Sequence, residues 1–243
     1  HDVPIPGLPE GLEGLRIVQI SDAHLGSFLE DFEPVERGLK LIQSLEPDIL
    51  CFTGDLVNDH SDEAEPWISR FQSLTARYGK FSILGNHDYA DYARRTDEER
   101  DNVRRRIREI HGEMGFDLLL DEHRYIERGG DKVLIAGVQN WGKGFRQSGD
   151  LDAALKGAQV DLPTVLLSHD PTHWEERVMG KKAPVELTLS GHTHGMQMGL
   201  EIPALGIKIS PSKLRYKRWG GLYTEGTQHL HVNRGFGLLG FPG

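Results

Sequence analysis

Short apolar runs alternate with amphipathic stretches over the first third of the chain. Residues 15–20, 49–53 and 81–84 are dominated by large apolar side chains, which predicts three buried strands. Between these runs, apolar residues recur at near-helical spacing within residues 34–45 and 67–74, which predicts two amphipathic helices. The order strand, helix, strand, helix, strand predicts a sheet whose strands are joined by crossover helices.

The alternation of apolar runs and amphipathic stretches ends after residue 84. The charged stretch 97–114 predicts another helix, and it is followed by short strands at 118–120, 125–127 and 133–138 that turn residues separate. This spacing is typical of a meander. The later elements are a short helix at 150–158 and strands at 164–167, 187–189, 222–224 and 229–233. Because neither a repeat nor a clear linker interrupts the pattern, we expect one domain over residues 1–243.

Polar side chains directly follow five of the predicted strands. The clusters are Ser-Asp-Ala-His at 21–24, Gly-Asp at 54–55, Gly-Asn-His-Asp at 85–88, His-Asp at 169–170 and Gly-His-Thr-His at 191–194. In open α/β sheets, sites lie beyond the carboxyl ends of the strands, so we expect these clusters to meet in one cleft. Asp22 and His24 are two positions apart, as are His192 and His194. Near the end of an extended segment, such residues point to the same side.

The residue types in these clusters suit a divalent metal centre. Histidine, aspartate and asparagine together favour Mn²⁺, Fe, Co²⁺, Ni²⁺ or Zn²⁺, whereas a structural zinc site would use cysteines. Seven candidates are too many for one ion that keeps an open position, and they suit two ions that share a carboxylate. The candidate ligands are Asp22, His24, Asp55, Asn86, His169, His192 and His194.

The five clusters together resemble the calcineurin-like metallophosphoesterase superfamily. Its blocks Asp-x-His, Gly-Asp, Gly-Asn-His-Asp, a later His and Gly-His-x-His occur in order across residues 22–194. The flanks Ile-Ser-Asp-Ala-His-Leu-Gly and Leu-Ser-Gly-His-Thr-His-Gly-Met-Gln are similar to a bacterial branch whose catalytic domain often follows membrane helices. The resemblance implies an α/β fold in which helices flank a two-sheet sandwich, giving four layers in the order αββα.

The resemblance also implies a role for each matched residue. Asp22, His24 and His194 would hold the first metal ion, and Asn86, His169 and His192 would hold the second. Asp55 would bridge the two ions. His87 would face the substrate, and Asp88 would orient the His87 ring. Two metal ions would lower the pKa of a shared water, and the resulting hydroxide would attack phosphorus. A protonated His87 would then donate its proton to the leaving alkoxide.

Three further residues are expected to contact the substrate. Trp141 follows a predicted strand, and His173 lies close to His169 in the chain. Arg234 is the leading candidate for a phosphate contact outside the metal ligands. The histidines outside the five clusters and this set are expected on the surface or packed in the core.

Composition and charge narrow the range of partners. The net charge of -9 argues against a nucleic acid partner, because binding to a phosphate backbone needs a basic surface. Bound metal ions reverse the local field, so bulk acidity is compatible with a phosphate substrate. The single cysteine, Cys51, lies in an apolar run and excludes a disulfide framework within the chain.

Hydropathy and two segments near the C-terminus bear on membrane association. The chain has no run of about 18 apolar residues, so we expect a soluble domain without a transmembrane helix. The sequence begins at His1 and not at Met, so a signal or membrane anchor upstream of His1 would not be visible in it. Within the chain, the basic and aromatic residues 213–219 fit either a membrane surface contact or an ordinary loop. The apolar residues 235–242 fit either a lipid-accepting rim or packing against the sheet.

The expected function is metal-dependent hydrolysis of a phosphate ester or anhydride. The partner would be a phosphate-containing small molecule or a lipid. A phosphodiester or pyrophosphate lipid, such as a molecule similar to UDP-diacylglucosamine, is one candidate substrate, and a phosphomonoester is another. Oligomeric state is not readable from the sequence. The alternative from another class is a catalytically silent scaffold that binds proteins, against which the complete ligand set and His87 both argue.

Overall fold

Four parallel strands form the first sheet of the protein. The computed structural model describes residues 1–29, 31–159, 161–180, 183–197, 200–202, 207–209 and 216–238. The strands of the first sheet, in spatial order, are β1 (Ile17–Ile20), β2 (Ile49–Phe52), β3 (Lys80–Ser82) and β4 (Asp117–Leu118). Helices α1 (Phe32–Ser44) and α2 (Ile68–Gln72) connect β1 to β2 and β2 to β3, and helix α3 (Asp97–Glu113) precedes β4. The predicted order of strands and crossover helices is confirmed.

Local sequence signals explain where the longer helices begin and end. Helix α1 starts at Asp31, whose carboxylate accepts a hydrogen bond from the Glu33 backbone N–H. Helix α3 starts with a capping box in which Thr96 and Glu99 bond reciprocally to each other's backbone N–H. It ends just before Gly115, whose φ of 80° is a conformation that glycine adopts without strain.

Six strands form the second, mixed sheet. In spatial order they are β11 (Gly221–Glu225), β12 (Gln228–Val232), β8 (Leu187–Ser190), β7 (Thr164–Leu167), β6 (Asp131–Gly137) and β5 (Glu122–Arg128). The four inner strands run parallel, and an antiparallel strand covers each edge. Two further short strands, β9 (Leu200–Ile202) and β10 (Ile207–Ile209), pair antiparallel with each other.

The two sheets pack face to face. Alternate residues of β2, Ile49 and Cys51, point to the core between the sheets, where they join Ile135 and Val165 of the second sheet. This core is lined by β-branched and other apolar side chains that are almost fully buried. Side chains along a strand alternate between its two faces, so the neighbouring residues of β2 must pack on the outer face of the first sheet.

Helices cover both outer faces of this sandwich. Leu50 and Phe52 of β2 share a core cluster with residues of helices α1 and α3. On the far side, Leu166 of β7 packs in a cluster with Leu151 and Trp174. Leu151 begins the short helix α4 (Leu151–Ala154), and Trp174 begins a π-helical turn after helix α5 (Pro171–His173). The predicted αββα layering is therefore confirmed.

The predicted meander is wrong. Strand β4 pairs with β3 in the first sheet, whereas β5 and β6 form a hairpin at the edge of the second sheet. The chain thus changes sheets between residues 118 and 122. The hairpin turns at Gly129 and Gly130, which both have positive φ and provide the two-residue turn that suits the twist of paired strands.

Two arginines of helix α3, Arg104 and Arg106, are ion-paired at the surface. Arg106 Nε lies 2.7 Å from Glu65 Oε1, and Arg106 also pairs with Glu113. Arg104 pairs with Asp91 at 2.9 Å.

The predicted helix at 150–158 is shorter than expected, because only Leu151–Ala154 is helical. Among the described residues, no helix combines the length and hydropathy needed to cross a bilayer.

Candidate metal centre

The structure brings the predicted metal ligands together at the carboxyl ends of both sheets. Asp22 follows β1 and Asp55 follows β2, and the Asp22 backbone N–H donates to the Gly54 carbonyl at 2.8 Å. From the second sheet, His192 follows β8, and its backbone N–H donates to the Asp22 carboxylate at 2.9 Å. These backbone contacts join the two strand ends directly. The ligands are held by the junction of the sheets rather than by one loop.

One candidate group consists of Asp22, His24 and His194. Their ligand atoms all lie within 4.8 Å of one another, and all three residues are buried. His24 Nε2 is 3.0 Å from His194 Nε2, which in turn is 3.3 Å from Asp22 Oδ1. Ligand atoms around a single ion with bonds of about 2 Å lie roughly 3 Å apart, so this spacing suits one cation.

A second group consists of Asp55, His169 and His192. His169 Nε2 lies 3.1 Å from Asp55 Oδ2 and 3.2 Å from His192 Nδ1. The same Asp55 oxygen is 3.7 Å from His24 Nε2 of the first group. Asp55 therefore lies between the two groups, in the position of a carboxylate that two ions could share.

Hydrogen bonds at the opposite ring nitrogens hold the imidazoles in place. His169 Nδ1 donates to the Thr53 carbonyl at 2.7 Å, which leaves Nε2 as the nitrogen with the free lone pair. His24 Nδ1 lies 3.1 Å from Asn58 Oδ1, and His192 Nε2 lies 2.7 Å from the Tyr216 hydroxyl. Partners of this kind fix the tautomer and ring direction of metal-binding histidines.

Five of the seven predicted ligands have left-handed backbone conformations. Their φ values are 52° for Asp22, 42° for His24, 58° for Asp55, 71° for His192 and 50° for His194. Residues other than glycine rarely adopt this conformation, which costs of order 1–3 kcal/mol and persists where the surroundings impose it. This concentration of strain at one place is typical of a functional site.

Burial and charge together set the protonation of the ligands. Burial lowers the pKa of His24, although Asp55 and Asp22 act in the opposite direction. Burial and the neighbouring His169 lower the pKa of His192 well below its usual value. For Asp55, burial favours the protonated form, but His169 outweighs it and holds the pKa well below the usual range. Asp55 therefore stays ionised, as a metal ligand must.

An unsatisfied side-chain oxygen of Asn86 is also suited to a cation. Asn86 Nδ2 donates to the Tyr92 hydroxyl at 2.6 Å, whereas Asn86 Oδ1 is buried and has no hydrogen-bond partner among the described residues. A buried acceptor without a partner is costly unless something else satisfies it. Together with two clusters of imidazole nitrogens and carboxylate oxygens, this atom makes the site chemically suited to divalent metal ions.

His87 lies at the same site, but Asp88 does not orient its ring. Both Asp88 oxygens accept backbone hydrogen bonds at 2.9 Å, from Asp55 and Gly85 on one oxygen and from Leu56 on the other. The His87 Nδ1 instead donates to the Asn58 carbonyl at 2.6 Å. The predicted role of Asp88 is corrected accordingly, because its buried carboxylate organises the backbone around Asp55.

Of the predicted substrate contacts, His173 is buried. It lies in helix α5, and its Nδ1 lies 2.8 Å from Ser168 Oγ. Burial lowers its pKa to about 4, as expected for a packed imidazole. The Trp141 ring is half-buried and lies against His173, with ring centroids 5.3 Å apart. The substrate contacts predicted for His173 and Trp141 remain predictions.

Arg234 lies at the rim of the first group. Its guanidinium is 5.4 Å from the centre of the Trp219 ring. The next residue, Gly235, approaches the first group so closely that a Cβ there would be 2.8 Å from His194 Nδ1. Arg234 therefore lies close enough to the first group to contact a bound phosphate, and this contact remains a prediction.

The two aromatic residues in the described part of the basic and aromatic segment are buried, whereas Lys217 is exposed. Tyr216 and Trp219 are 7% and 4% exposed, and the Trp219 carbonyl accepts a hydrogen bond from Thr193. These two rings therefore line the site and are not available to a membrane surface, and residues 213–215 lie outside the described residues. The Phe236 ring packs against the core around helix α1, which favours packing over a lipid rim, while residues 239–242 lie outside the described residues.

Four residues of the site were missed from sequence. Asn58 and Tyr92 contact His24, His87 and Asn86 as described above, and Tyr216 contacts His192. The Phe145 ring meets His192 edge to face, with centroids 4.7 Å apart. All four lie in loops and follow no spacing pattern. The sequence therefore contains no signal for them beyond the presence of polar and aromatic residues.

A family model described as calcineurin-like phosphoesterase matches residues 15–196, which include every predicted metal ligand. The chain belongs to the calcineurin-like phosphoesterase family. Its enzyme class is therefore that of the metallophosphoesterases, which are phosphate ester hydrolases. The predicted family, fold and enzyme class are confirmed.

Relatives of this phosphoesterase include bacterial and vertebrate proteins. The uncharacterized metallophosphoesterase YkuE of Bacillus subtilis is 30% identical, and the alignment covers 100% of this chain and 79% of YkuE. The UDP-2,3-diacylglucosamine pyrophosphatase LpxG of Chlamydia muridarum is also 30% identical, over 93% of this chain and 79% of LpxG. A transmembrane protein with metallophosphoesterase domain from Danio rerio is 29% identical over 99% of this chain, which spans about half (53%) of that protein.

Solved structures agree on the fold of this phosphoesterase. The NAD nucleotidase NadN of Haemophilus influenzae aligns with a TM-score of 0.55 at 15% identity, over 92% of this chain and 45% of NadN. A 5'-nucleotidase precursor from Thermus thermophilus aligns with a TM-score of 0.54 at 13% identity, over 92% of this chain and 49% of the nucleotidase. At this identity the likeness concerns the fold alone.

Proposed function

We propose that this phosphoesterase is a binuclear metal-dependent hydrolase of phosphate esters or anhydrides. The observation that carries the proposal is the position of Asp55. Its Oδ2 lies 3.1 Å from His169 Nε2 in one candidate group and 3.7 Å from His24 Nε2 in the other. Because both sheets contribute ligands, we also treat residues 1–243 as one catalytic domain.

The proposed ligands follow the two groups. Asp55 would be shared, and the other ligands would be Asp22, His24 and His194 at one ion and Asn86, His169 and His192 at the second. Mixed nitrogen and oxygen ligands suit Mn²⁺, Fe, Zn²⁺, Co²⁺ or Ni²⁺. When bound, two such ions supply Lewis acidity that makes water a nucleophile near neutral pH and offsets negative charge on the phosphoryl oxygens.

His87 is the proposed proton donor to the leaving group. Its Nδ1 donates to the Asn58 carbonyl at 2.6 Å, so Nε2 is the nitrogen that is left for a substrate. The ring is only half-buried and lies edge to face with His24, with centroids 4.9 Å apart. A protonated His87 Nε2 can therefore reach a substrate oxygen from the open side of the centre. Such general acid catalysis typically contributes about 10²–10⁴-fold.

A lipid-linked pyrophosphate is the proposed substrate class. Support comes from the relative named UDP-2,3-diacylglucosamine pyrophosphatase, which is 30% identical over most of this chain. Further support for a membrane-associated substrate comes from relatives whose names describe transmembrane proteins. We accordingly propose that the full-length protein is associated with a membrane. A phosphomonoester or phosphodiester of a small molecule is the alternative substrate.

A substrate panel tests this proposal. The chain would be assayed with Mn²⁺, Zn²⁺ and Mg²⁺ against a monoester, a diester, a nucleotide sugar and a lipid pyrophosphate, with Asp55→Asn as the inactive reference. We expect hydrolysis with at least one metal, fastest for the lipid pyrophosphate, and none by Asp55→Asn. Absence of hydrolysis with every combination would contradict the proposal and favour a protein-binding scaffold.

A further inference from the structure

Tyr92 contacts two neighbours of the candidate centre at once. Its hydroxyl accepts a hydrogen bond from Asn86 Nδ2 at 2.6 Å. Its ring stacks on the His87 imidazole, with centroids 4.4 Å apart and an angle of 19° between the planes. Yet Tyr92 is 54% exposed, so burial in the core does not explain why an aromatic ring lies here.

The hydrogen bond from Asn86 decides which end of its amide remains available. An asparagine amide has one acceptor oxygen and one NH₂ donor. Because Tyr92 accepts from the NH₂ group, Oδ1 is the end left over, and this oxygen is buried without a hydrogen-bond partner among the described residues. A divalent cation binds an amide through its oxygen. The tyrosine thus presents Asn86 to the centre in the orientation that a ligand needs.

The ring of Tyr92 restrains His87 in the same way. The His87 imidazole is enclosed by Tyr92 on one side and by His24, edge to face at 4.9 Å, on another. The Asn58 carbonyl fixes rotation of the ring through Nδ1. Together these contacts leave Nε2 as the nitrogen that is free to act on a substrate.

The backbone of Tyr92 is anchored independently of its side chain. The Asp59 carboxylate accepts hydrogen bonds from the backbone N–H groups of Tyr92 and Ala93, at 3.0 and 2.9 Å. Arg95 forms a nearly buried ion pair with the same carboxylate and also donates to the Ala90 carbonyl. Removing the hydroxyl or the ring should therefore leave the loop and the fold in place.

The geometry points to Tyr92 as a positioning residue of the metal centre, an inference that rests on the proposed function. Its hydroxyl orients Asn86 towards the ion held with Asp55, His169 and His192, and its ring holds His87 in place. Two separable effects follow. The hydroxyl governs metal affinity, and the ring governs proton transfer to the leaving group.

Two substitutions separate these effects. Tyr92→Phe removes the hydroxyl and keeps the stacked ring, whereas Tyr92→Leu removes both. Tyr125→Phe is the matched control, because Tyr125 is 41% exposed and its hydroxyl accepts from the Gln159 backbone N–H at the edge of the second sheet. Each chain would be titrated with Mn²⁺ by calorimetry, and turnover of a poor and a good leaving group would be measured at saturating Mn²⁺.

We expect Tyr92→Phe to weaken binding of one of the two ions by about 10-fold or more, as is usual when the partner of a metal ligand is lost. Saturating Mn²⁺ should restore its turnover. Tyr92→Leu should bind the ions as Tyr92→Phe does, but its turnover of a substrate with a poor leaving group should stay low, whereas its turnover of a nitrophenyl ester should be restored. Tyr125→Phe should match the wild type in both measurements.

Wild-type affinity for both ions in Tyr92→Phe would overturn the role of the hydroxyl, and wild-type turnover in Tyr92→Leu would overturn that of the ring. Failure of the proposed function is distinguishable from either result. A wild type that binds two Mn²⁺ ions but hydrolyses no phosphate compound would contradict the hydrolase proposal, while the affinities would still decide the role of the Tyr92 hydroxyl. A wild type that binds none of Mn²⁺, Fe²⁺, Co²⁺, Ni²⁺ and Zn²⁺ would overturn both proposals.

Discussion

The carboxylate of Asp88 accepts a hydrogen bond from the backbone N–H of Asp55, with 2.9 Å between the heavy atoms. The same carboxylate accepts from the backbone N–H groups of Gly85 and Leu56, so it joins the turns that follow β2 and β3. This contact explains how Asp55 keeps its left-handed backbone conformation. It also means that Asp88 acts on the shared carboxylate and not on His87.

Asp88→Asn should therefore destabilise the fold. The amide NH₂ cannot accept from a backbone N–H, so at least one buried donor loses its partner, at a cost of about 2 kcal/mol. Chemical denaturation in the presence of a chelator measures this loss without the contribution of bound metal. Asp97→Asn is the control, because the Asp97 side chain is 97% exposed, and its stability should change by less than about 0.5 kcal/mol. Equal stability of the two variants would contradict this role of Asp88.

His87→Ala should keep both metal ions but turn over slowly. The expected loss in kcat is about 100-fold or more for a substrate with a poor leaving group, and much smaller for a nitrophenyl ester, whose leaving group needs no proton. Elemental analysis and steady-state kinetics on the same preparations would provide both values. His60→Ala, at an exposed histidine outside the two groups, is the control. An unchanged kcat on the poor leaving group would remove His87 from the mechanism.

Acid should destabilise the protein in part through His111. This histidine is 1% exposed beneath Phe52, and burial lowers its pKa from about 6.5 to about 4. Between these two pH values the unfolded chain binds a proton that the folded chain does not. The free energy of unfolding should therefore fall as pH drops from 6.5 to 4, by up to about 3 kcal/mol from this residue.

Comparison with His111→Leu measures the His111 contribution, because leucine does not titrate. The difference in free energy of unfolding between wild type and variant, determined in chelator at several pH values, should shift in favour of the variant on acidification. A difference that stays constant between pH 7 and pH 4 would contradict the assignment. Other titrating groups are common to both proteins and cancel in the difference.

The position of the site could be predicted from sequence because its ligands follow strands. Asp22, Asp55 and Asn86 each lie a few residues beyond β1, β2 and β3, and His169 and His192 lie just beyond β7 and β8. An apolar run that ends in a polar cluster is a local signal, and parallel strands bring such ends to one edge. The same runs predicted a sheet with crossover helices, whereas the second sheet and the four layers were implied by the family resemblance.

The geometry within the site could not be predicted in this way. Residues Asp22 and His24 were expected on one side of an extended segment, but both have positive φ, and the backbone N–H groups of Ala23 and His24 donate to the Asp55 carbonyl. His192 and His194 belong to different groups although the same spacing separates them. Such backbone conformations depend on contacts between distant turns, which a local pattern does not contain.

The residues that support the ligands could not be predicted from the sequence either. Asn58, Tyr92 and Tyr216 lie in loops, and their partners come from other segments of the chain. The change of sheet between β4 and β5 was missed for a related reason. Two short strands separated by a turn look the same whether they pair with each other or with different sheets, because pairing is decided by the partner strands.

The metal content of Asp55→Asn tests the central claim most directly. Asp55 Oδ2 lies between the two ligand groups, so an amide in its place removes a negative charge and one of the two oxygens from both ions at once. Elemental analysis of protein dialysed after loading with Mn²⁺ should give two ions per chain for the wild type and a loss from both sites in Asp55→Asn, with no remaining hydrolysis. Two retained ions with normal turnover in Asp55→Asn would contradict a centre in which this carboxylate is shared.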